Sequence, residues 1–173
     1  MSAILQHRRK AFRAAGGGPN QYYYAAETAN GTVGIVGEYY PTWDDIVVST
    51  GGTLTELGVH LDSVDDGGDF KLALYDSSDN LVTGASGVVT VVNTGADNDA
   101  WASVTGLSVS ISSGTYSLLI QLHDSVTLYV DSLGNSGYGQ YWGGGSYSSA
   151  PVATLHTEDG NENKQLMMRV FVE

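Results

Sequence analysis

Cysteine is absent from this chain of 173 residues, and proline occurs only three times. Without cysteine the protein has neither disulfide bonds nor thiolate metal ligands, and thiol usage identifies no redox compartment. No apolar run approaches the roughly 20 residues that a membrane helix requires, so we expect no membrane partner. The chain does contain 23 glycines, 11 tyrosines and many serines and threonines. This composition favours β-strands joined by frequent turns.

Basic residues are also scarce, and they are unevenly placed. Seven lysines and arginines stand against 19 aspartates and glutamates, for a formal charge of −12. The first 19 residues carry +4, whereas residues 20–173 carry −16. Phosphate backbones repel an acidic body of this kind, so we expect no nucleic-acid partner. The sequence therefore divides into a basic N-terminal arm with a Gly-rich linker (1–19) and an acidic domain (20–173).

The arm, MSAILQHRRKAFRAAGGGP, combines positive charge with a few apolar side chains. Gly16–Gly18 and Pro19 form a flexible break that stops any preceding helix. A secretory signal needs roughly 7–15 apolar residues after its charges, and the segment lacks them, so we expect no signal peptide. We predict instead that the arm binds a partner protein; the alternatives are a solvated, disordered tail and a targeting address such as a mitochondrial presequence. The residues assigned to this contact are Leu5, His7, Arg8, Arg9, Lys10, Phe12 and Arg13.

Apolar and polar residues alternate through the acidic domain with the two-residue period of a β-strand. The clearest segments are TLTELGVHLD (53–62), FKLALYD (70–76), LSVSIS (107–112), GTYSLLIQLH (114–123) and QLMMRVFVE (165–173). Turn signals such as DDGGD, DSSDN and SSGT separate them. About ten short strands of this kind predict an all-β fold, an antiparallel β-sandwich. A jelly roll is the first choice of topology, and an immunoglobulin-like sandwich is the alternative.

Carboxylates crowd the segment DSVDDGGDF (62–70). Asp62, Asp65, Asp66 and Asp69 fall within eight residues, and two adjacent glycines let the chain curl. Ca²⁺ takes about six to eight oxygen ligands, so the segment suits a calcium loop, although its spacing is not that of an EF-hand. The alternative is an ordinary solvated turn, since aspartate favours turns. Apart from this Ca²⁺ we expect no cofactor.

A second segment, GNSGYGQYWGGGSYSSAP (134–151), sets aromatic residues in a glycine frame. Exposed aromatics of this kind suit sugar stacking or a protein interface. Alternatively, the tryptophan folds inward as a lid on the sandwich. The candidate ligand or interface residues are Tyr138, Tyr141, Trp142 and Tyr147. In QYYYAAE, the three tyrosines Tyr22–Tyr24 alternate faces on a strand, so at least one of them points outward.

No catalytic motif is present, and we predict no catalytic residues. The sequence lacks G-x-S-x-G, H-E-x-x-H and a P-loop, and its four histidines are scattered. Its paired carboxylates lie in turn-like segments, where solvation is the default. The protein is therefore expected not to be an enzyme, with a small hydrolase whose site is assembled only by folding as the rival.

Two parts of the sequence resemble known proteins. Residues 51–80, GGTLTELGVHLDSVDDGGDFKLALYDSSDN, and residues 101–120, WASVTGLSVSISSGTYSLLI, resemble jelly-roll modules of extracellular and viral surface proteins. The opening HRRKAFRAAGGG resembles the short starts of tailed-bacteriophage virion proteins, of both head-decoration and tail-fibre types. Virion proteins also reconcile an extracellular composition with a missing signal peptide, because they fold in the host cytoplasm and leave the cell within the particle.

The resemblance implies a non-enzymatic virion structural protein of the head-decoration (cement) type, assembled in the host cytoplasm. Its partners would be the major capsid protein or another virion protein, and we expect a homo-oligomer. The alternative is a tail-fibre or lectin-like carbohydrate-binding module that recognises host surface glycans. That alternative predicts a glycan at the aromatic segment.

Overall fold

The computed structural model describes residues 20–24, 31–36, 39–41, 46–92, 100–123, 127–134, 140–141, 151, 153–155, 160–161 and 164–173. These residues contain strands and no helix. The strands are β1 (Gln21–Tyr24), β2 (Gly31–Val36), β3 (Tyr39–Pro41), β4 (Ile46–Val48), β5 (Gly52–Asp66), β6 (Gly68–Asp76), β7 (Leu81–Val91), β8 (Ala100–Ile111), β9 (Gly114–Leu122), β10 (Thr127–Gly134), β11 (Gln140–Tyr141), β12 (Gly160–Asn161), β13 (Lys164–Leu166) and β14 (Met168–Val172).

Two antiparallel sheets form the body of the protein. In sheet A, β5 pairs with β8 along one edge and with β14 and then β10 along the other. Strand β1 pairs with β14, while β2 and β13 pair with β10. In sheet B, β6 lies between β7 and β9, and both β3 and β4 pair with β9. The predicted all-β, antiparallel β-sandwich is confirmed.

The core between the sheets is built from the residues that the alternation predicted. Leu57, Val59 and Leu61 of β5 are at most 3% exposed, and every second residue of β6 faces them from sheet B. The largest buried side chains of this core include Leu54, Leu57, Phe70, Leu72, Leu74, Leu118, Ile120 and Leu122. Burial of a side chain of this size contributes about 1.5–3 kcal/mol. These positions therefore determine which face of each strand turns inward.

Eight of the strands are ordered β1-β14-β5-β8 in sheet A and β4-β9-β6-β7 in sheet B. Along the chain these eight strands cross between the sheets at each step except the hairpin from β6 to β7. This order is compatible with the two Greek keys of a jelly roll. The jelly roll itself stays a prediction beside the confirmed sandwich.

The acidic segment forms a corner between the two sheets. Strand β5 continues to Asp66 and β6 begins at Gly68, so Gly67 alone joins them. The sequence predicted a curled loop here. In the structure, Gly67 alone separates the end of β5 from the start of β6. The four aspartates are therefore distributed along two strands and not around a loop.

Part of the outer face of sheet B, over β6 and β9, is covered by protein. A second cluster of buried side chains lies there, made of Ala73, Tyr75, Leu119 and Leu155. The backbone N–H of Leu155 donates to the carbonyl of Asp79 (2.9 Å), and that of Leu81 donates to the carbonyl of Ala153 (3.0 Å). Residues 153–155 thus dock on the β6–β7 turn. As a result, β6 and β9 are buried on both faces, whereas the alternation predicted half-buried strands.

Candidate functional site

Strands β1, β14, β5 and β8, adjacent in sheet A, carry a group of aromatic and charged residues on the outer face. Tyr23 of β1 points into the core and is 6% exposed, so its neighbours Tyr22 and Tyr24 lie on the outer face. The cross-strand register places further residues beside them. We use the name aromatic–arginine patch for Tyr22, Tyr24, Glu56, Trp101, Arg169 and Phe171.

Arg169 lies at the centre of the patch, between two aromatic rings. Its guanidinium carbon is 4.1 Å from the centroid of the Tyr22 ring and 3.9 Å from that of Trp101. A cation is attracted to the face of an aromatic ring within about 6 Å, so both contacts are favourable. One face of each ring is therefore occupied by the arginine and is closed to any other ligand.

The charge of Arg169 is neutralised by Glu56. Arg169 Nη2 and Nε donate to Glu56 Oε1 at 2.6 and 3.1 Å. Ser103 Oγ donates to the same oxygen at 2.9 Å, and the Tyr22 hydroxyl donates to Oε2 at 3.3 Å. The Arg169 and Glu56 side chains are each 14% exposed. Removing either partner would leave the other charge largely buried and unpaired, which is costly, so the pair holds the patch together.

Tyr22 keeps its proton at neutral pH in this setting. Burial raises the pKa of Tyr22 above its ordinary value of 10.0; Arg169 opposes this rise, and Glu56 adds to it by its charge and its hydrogen bond. The hydroxyl is accordingly a hydrogen-bond donor to Glu56. It is not a phenolate available for proton abstraction or attack.

Gly58 of β5 provides the space in which the two ring-stacking partners meet. Its cross-strand neighbours are Arg169 on β14 and Ser103 on β8. A Cβ added at Gly58 would lie 2.9 Å from Ser103 Oγ, 3.2 Å from Trp101 Cε3 and 3.3 Å from Arg169 Nε. Because β5 has no side chain at this position, Trp101 and Arg169 can lean over its bare backbone.

Further ring contacts extend the patch on both sides. The Tyr22 and Phe171 centroids are 4.5 Å apart, and those of Tyr24 and Trp101 are 6.0 Å apart. The His60 ring meets Trp101 edge-on at 5.0 Å. Aromatic pairs at such separations contribute about 0.5–1.5 kcal/mol each beyond their burial. The patch is therefore a well-packed surface.

A cavity of about 330 Å³ opens beside the patch, between β7 and β8. Trp101 forms part of its wall, so the cavity and the patch share one side chain. The remaining wall residues are Leu61, Val89, Thr90, Val91, Val92, Ala100 and Ala102. All of these except threonine have aliphatic side chains, which suits an apolar occupant more than a sugar.

The site residues predicted from sequence lie mostly outside the described residues. This holds for the arm contacts Leu5, His7, Arg8, Arg9, Lys10, Phe12 and Arg13, and for Tyr138, Trp142 and Tyr147. Tyr141 belongs to β11, where its backbone pairs with Gly160 of β12. Neither the interface nor the lid interpretation of the aromatic segment is tested by these positions, and both stay predictions.

The four aspartates of the predicted calcium site are spread along two strands. Asp62 is half-buried on β5, and Asp69 is exposed on β6, where its Oδ1 accepts a hydrogen bond of 2.6 Å from Thr90 Oγ1. Asp65 and Asp66 end β5, and their side chains lie outside the described part of the chain. Within that part, no three His, Asp or Glu side chains are grouped so that they could hold a metal ion. Calcium binding stays a prediction.

Sequence reasoning anticipated only the tyrosines of the patch. It identified Tyr22–Tyr24 as a strand with outward side chains but did not single out Glu56, Trp101 or Arg169. One signal was available, since Arg169 is the only arginine beyond the arm in a strongly acidic domain. Its partner could not be found in this way, because Glu56 is 113 residues away.

No helix among the described residues is long and apolar enough to cross a membrane. Comparison of the chain with models of protein families, with curated proteins and with solved structures found no match. The functional assignment therefore rests on the charge distribution of the sequence and the geometry of the patch.

Proposed function

We propose that the chain is a non-enzymatic virion structural protein of the head-decoration type. In this proposal the acidic sandwich is displayed on a phage particle, and the aromatic–arginine patch docks on the particle surface. The basic arm holds the domain on the major capsid protein or another virion protein.

The composition and packing of the patch support this proposal. Tyrosine, tryptophan and arginine are the residues that dominate binding energy at protein interfaces, while lysine, glutamate and aspartate are depleted at interface centres. The only charges of the patch, on Arg169 and Glu56, neutralise each other. The patch is thus a nearly neutral aromatic surface on a domain whose formal charge is −16. A partner can approach it at a lower electrostatic cost than it would meet elsewhere.

The same contacts argue against catalysis at the patch. A general base must be free to reach the proton that it abstracts. Glu56 already accepts hydrogen bonds from Arg169, Ser103 and Tyr22. Burial raises the pKa of the Tyr22 hydroxyl, which disfavours the phenolate. The polar groups of the patch are therefore engaged in holding the aromatic rings in place.

In the proposed attachment through the basic arm, charged and apolar side chains have different roles. Exposed ion pairs contribute about 0–1 kcal/mol each, so the four basic residues of the arm mainly speed and orient the encounter. Burial of a phenylalanine side chain contributes roughly 1.5–3 kcal/mol, so Phe12 in a pocket would dominate the lifetime of the complex. Phe12→Ala should consequently weaken attachment more than Arg13→Ala, and the arginine change should mainly increase salt sensitivity.

The test is binding to particles that lack the protein, measured by co-sedimentation. We compare the full chain with a deletion of residues 2–15 and with Trp101→Ala. The control is Val47→Ala, which truncates an exposed apolar side chain on β4 of the other sheet. We expect the deletion and Trp101→Ala to lose binding and Val47→Ala to retain it. Full binding by the truncated chain would exclude the arm as anchor, and full binding by Trp101→Ala would exclude the patch.

A tail-fibre or lectin-like glycan-binding module is the second candidate. The partly exposed Trp101 side chain beside the 330 Å³ cavity favours it, because sugars stack on aromatic rings next to concave sites. The aliphatic walls of the cavity and the occupied faces of Tyr22 and Trp101 speak against it. Glycan-array binding that Trp101→Ala abolishes would establish this candidate over the first.

A further inference from the structure

Strands β7 and β8 form neighbouring edges of the two sheets. Within the described residues, β7 pairs only with β6, and β8 pairs only with β5. The two strands pack directly on each other across the sandwich, since a Cβ added at Gly87 of β7 would lie 2.5 Å from Val104 Cγ1 of β8. Their outer edges therefore lie side by side on one flank. An edge strand presents backbone N–H and C=O groups to which another strand can pair.

This flank lacks two of the features that usually protect a sheet edge, charged residues and proline. Natural proteins block edges with charged residues, above all lysine, with proline or with bulges. The 11 residues of β7 and the 12 of β8 include no charged residue and no proline. Gly84 and Gly106, with φ of 80° and 74°, do interrupt the strands. Both pairings also contain a register shift, between Ala73 and Tyr75 of β6 and between Leu54 and Glu56 of β5. Residues 86–91 and 100–105 nevertheless pair residue by residue with β6 and β5.

Apolar surface is concentrated on the same flank. The large hydrophobic side chains exposed in the described residues are Val47, Val88 and Val92, and two of these three belong to β7 or follow it directly. Val88 is 53% and Val92 is 70% exposed. The cavity of about 330 Å³ also opens here, between the last residues of β7 and the first of β8. We use the name charge-free flank for residues 85–92 and 100–105.

We propose that the charge-free flank is the surface on which a second copy of this chain docks. An isologous dimer would pair an edge strand with its own copy, which runs antiparallel across the two-fold axis and extends the sheet. This inference rests on the proposed function, because the expectation of a homo-oligomer belongs to the same virion interpretation. It adds the surface through which two copies of the chain meet.

Electrostatic repulsion between two copies is weaker at this flank than at the charged surfaces of the domain. Two domains that each carry −16 repel each other, and like charges brought together at an interface cost several kcal/mol. The charge-free flank brings no charged side chain of β7 or β8 into the contact. Asp69 of β6 lies beside the flank, because its Oδ1 accepts a hydrogen bond from Thr90 Oγ1 at 2.6 Å. Salt screens the remaining repulsion between the two copies, with a Debye length of about 10 Å at 0.1 M. The dimer should therefore become tighter as salt is added.

The flank is large enough for a specific but weak dimer. The eight residues 85–92 span about 26 Å, and two sheets packed about 10 Å apart present, with their side chains, an edge roughly 20 Å wide. The resulting area is about 500 Å² per copy, or about 1,000 Å² in total, at the lower limit of a specific interface.

The test is the oligomeric state of the purified full chain. Sedimentation velocity is measured from about 1 to 100 µM at about 50 and 500 mM NaCl. We expect a dimer that is tighter at the higher salt. Val88→Glu and Val92→Glu should each raise the dimer Kd by about tenfold or more, because each places like charges opposite each other. The matched control, Val47→Glu, adds the same charge at a position that is 60% exposed on β4, and it should change Kd by no more than about twofold.

Hydrogen exchange of the unmodified chain adds a readout that needs no substitution. Amides of residues 85–91 and 100–105 should gain protection at high protein concentration. A monomer at every concentration, equal effects of Val47→Glu and Val92→Glu, or unchanged exchange on the flank would each overturn the proposal. If deletion of residues 2–15 abolishes the dimer, the occupant is the arm and the proposal is wrong. A chain that dimerises through the flank but does not bind particles refutes the proposed function alone.

Discussion

Gly58→Ala isolates the role of the bare backbone beneath the aromatic–arginine patch. Two effects of the substitution oppose each other. Alanine restricts the unfolded chain and suits a strand better than glycine, which stabilises by roughly 0.5–1 kcal/mol. The new methyl group, however, would lie 2.9 Å from Ser103 Oγ and within 3.3 Å of Trp101 and Arg169. Overpacking at a filled site costs typically about 1–3 kcal/mol.

The packing effect should be the larger one. Ser103 Oγ can rotate away from the methyl group, but it then loses its 2.9 Å hydrogen bond to Glu56. Hydrogen bonds to charged groups contribute about 1.5–3 kcal/mol. Trp101 and Arg169 cannot both move aside without parting from each other. We therefore expect Gly58→Ala to lower the free energy of unfolding by about 1–2 kcal/mol and to weaken partner binding at the patch.

Urea denaturation followed by circular dichroism measures the first effect, with Gly114→Ala as control. At Gly114 the nearest atom to an added Cβ is Tyr116 Cε2 at 3.8 Å, an ordinary contact, so that change should be neutral or slightly stabilising. Gly58→Ala combined with Ser103→Ala should recover part of the loss, since the closest atom is then gone. If Gly58→Ala proves as stable as Gly114→Ala, the bare backbone is not what lets Trp101 and Arg169 meet.

Three further predictions address backbone strain, the ion pair and a buried amine. Gly106→Ala meets no atom within 4 Å but has φ of +74°, so it should destabilise by about 1 kcal/mol through strain alone, measured by the same urea titration. Arg169→Lys keeps the charge but loses the fork geometry and ring stacking, and we expect the free energy of unfolding to fall by about 1–2 kcal/mol in the same urea titration. Lys71 is 4% exposed, and burial lowers its pKa from 10.5. Just below pH 10.5 the unfolded chain therefore binds more protons than the folded protein, so stability rises with pH there. Lys71→Met should abolish this rise in denaturation curves measured just below pH 10.5. Above pH 10.0 the raised pKa values of Tyr22 and Tyr116 act in the opposite direction, because a buried phenol resists ionisation, and this fall should persist in the variant. An unchanged rise in Lys71→Met would show that another group titrates.

The local pattern of the sequence was sufficient to predict the sandwich, because strand alternation is a property of neighbouring residues. Leu57, Val59 and Leu61 occur at a spacing of two and all face the core. The same pattern could not predict that Tyr75 of β6 is fully buried on the opposite face. Its cover includes Leu155, which lies 80 positions further along the chain. Burial on a second face depends on which distant segment packs there, and alternation within one strand contains no information about that.

The patch and the charge-free flank differ in how far the sequence could reveal them. Glu56 and Arg169 are separated by 113 residues, and only the register of β5 with β14 brings them together. The charge-free flank is visible in the sequence as two segments without Asp, Glu, Lys or Arg in a domain of −16. What the sequence could not supply was their place at adjacent sheet edges. An uncharged strand in the middle of a sheet needs no explanation, because its neighbours cover it. The same strand at an edge leaves backbone groups and valines open to a second chain, and it is the sheet order that turns a feature of composition into a predicted interface.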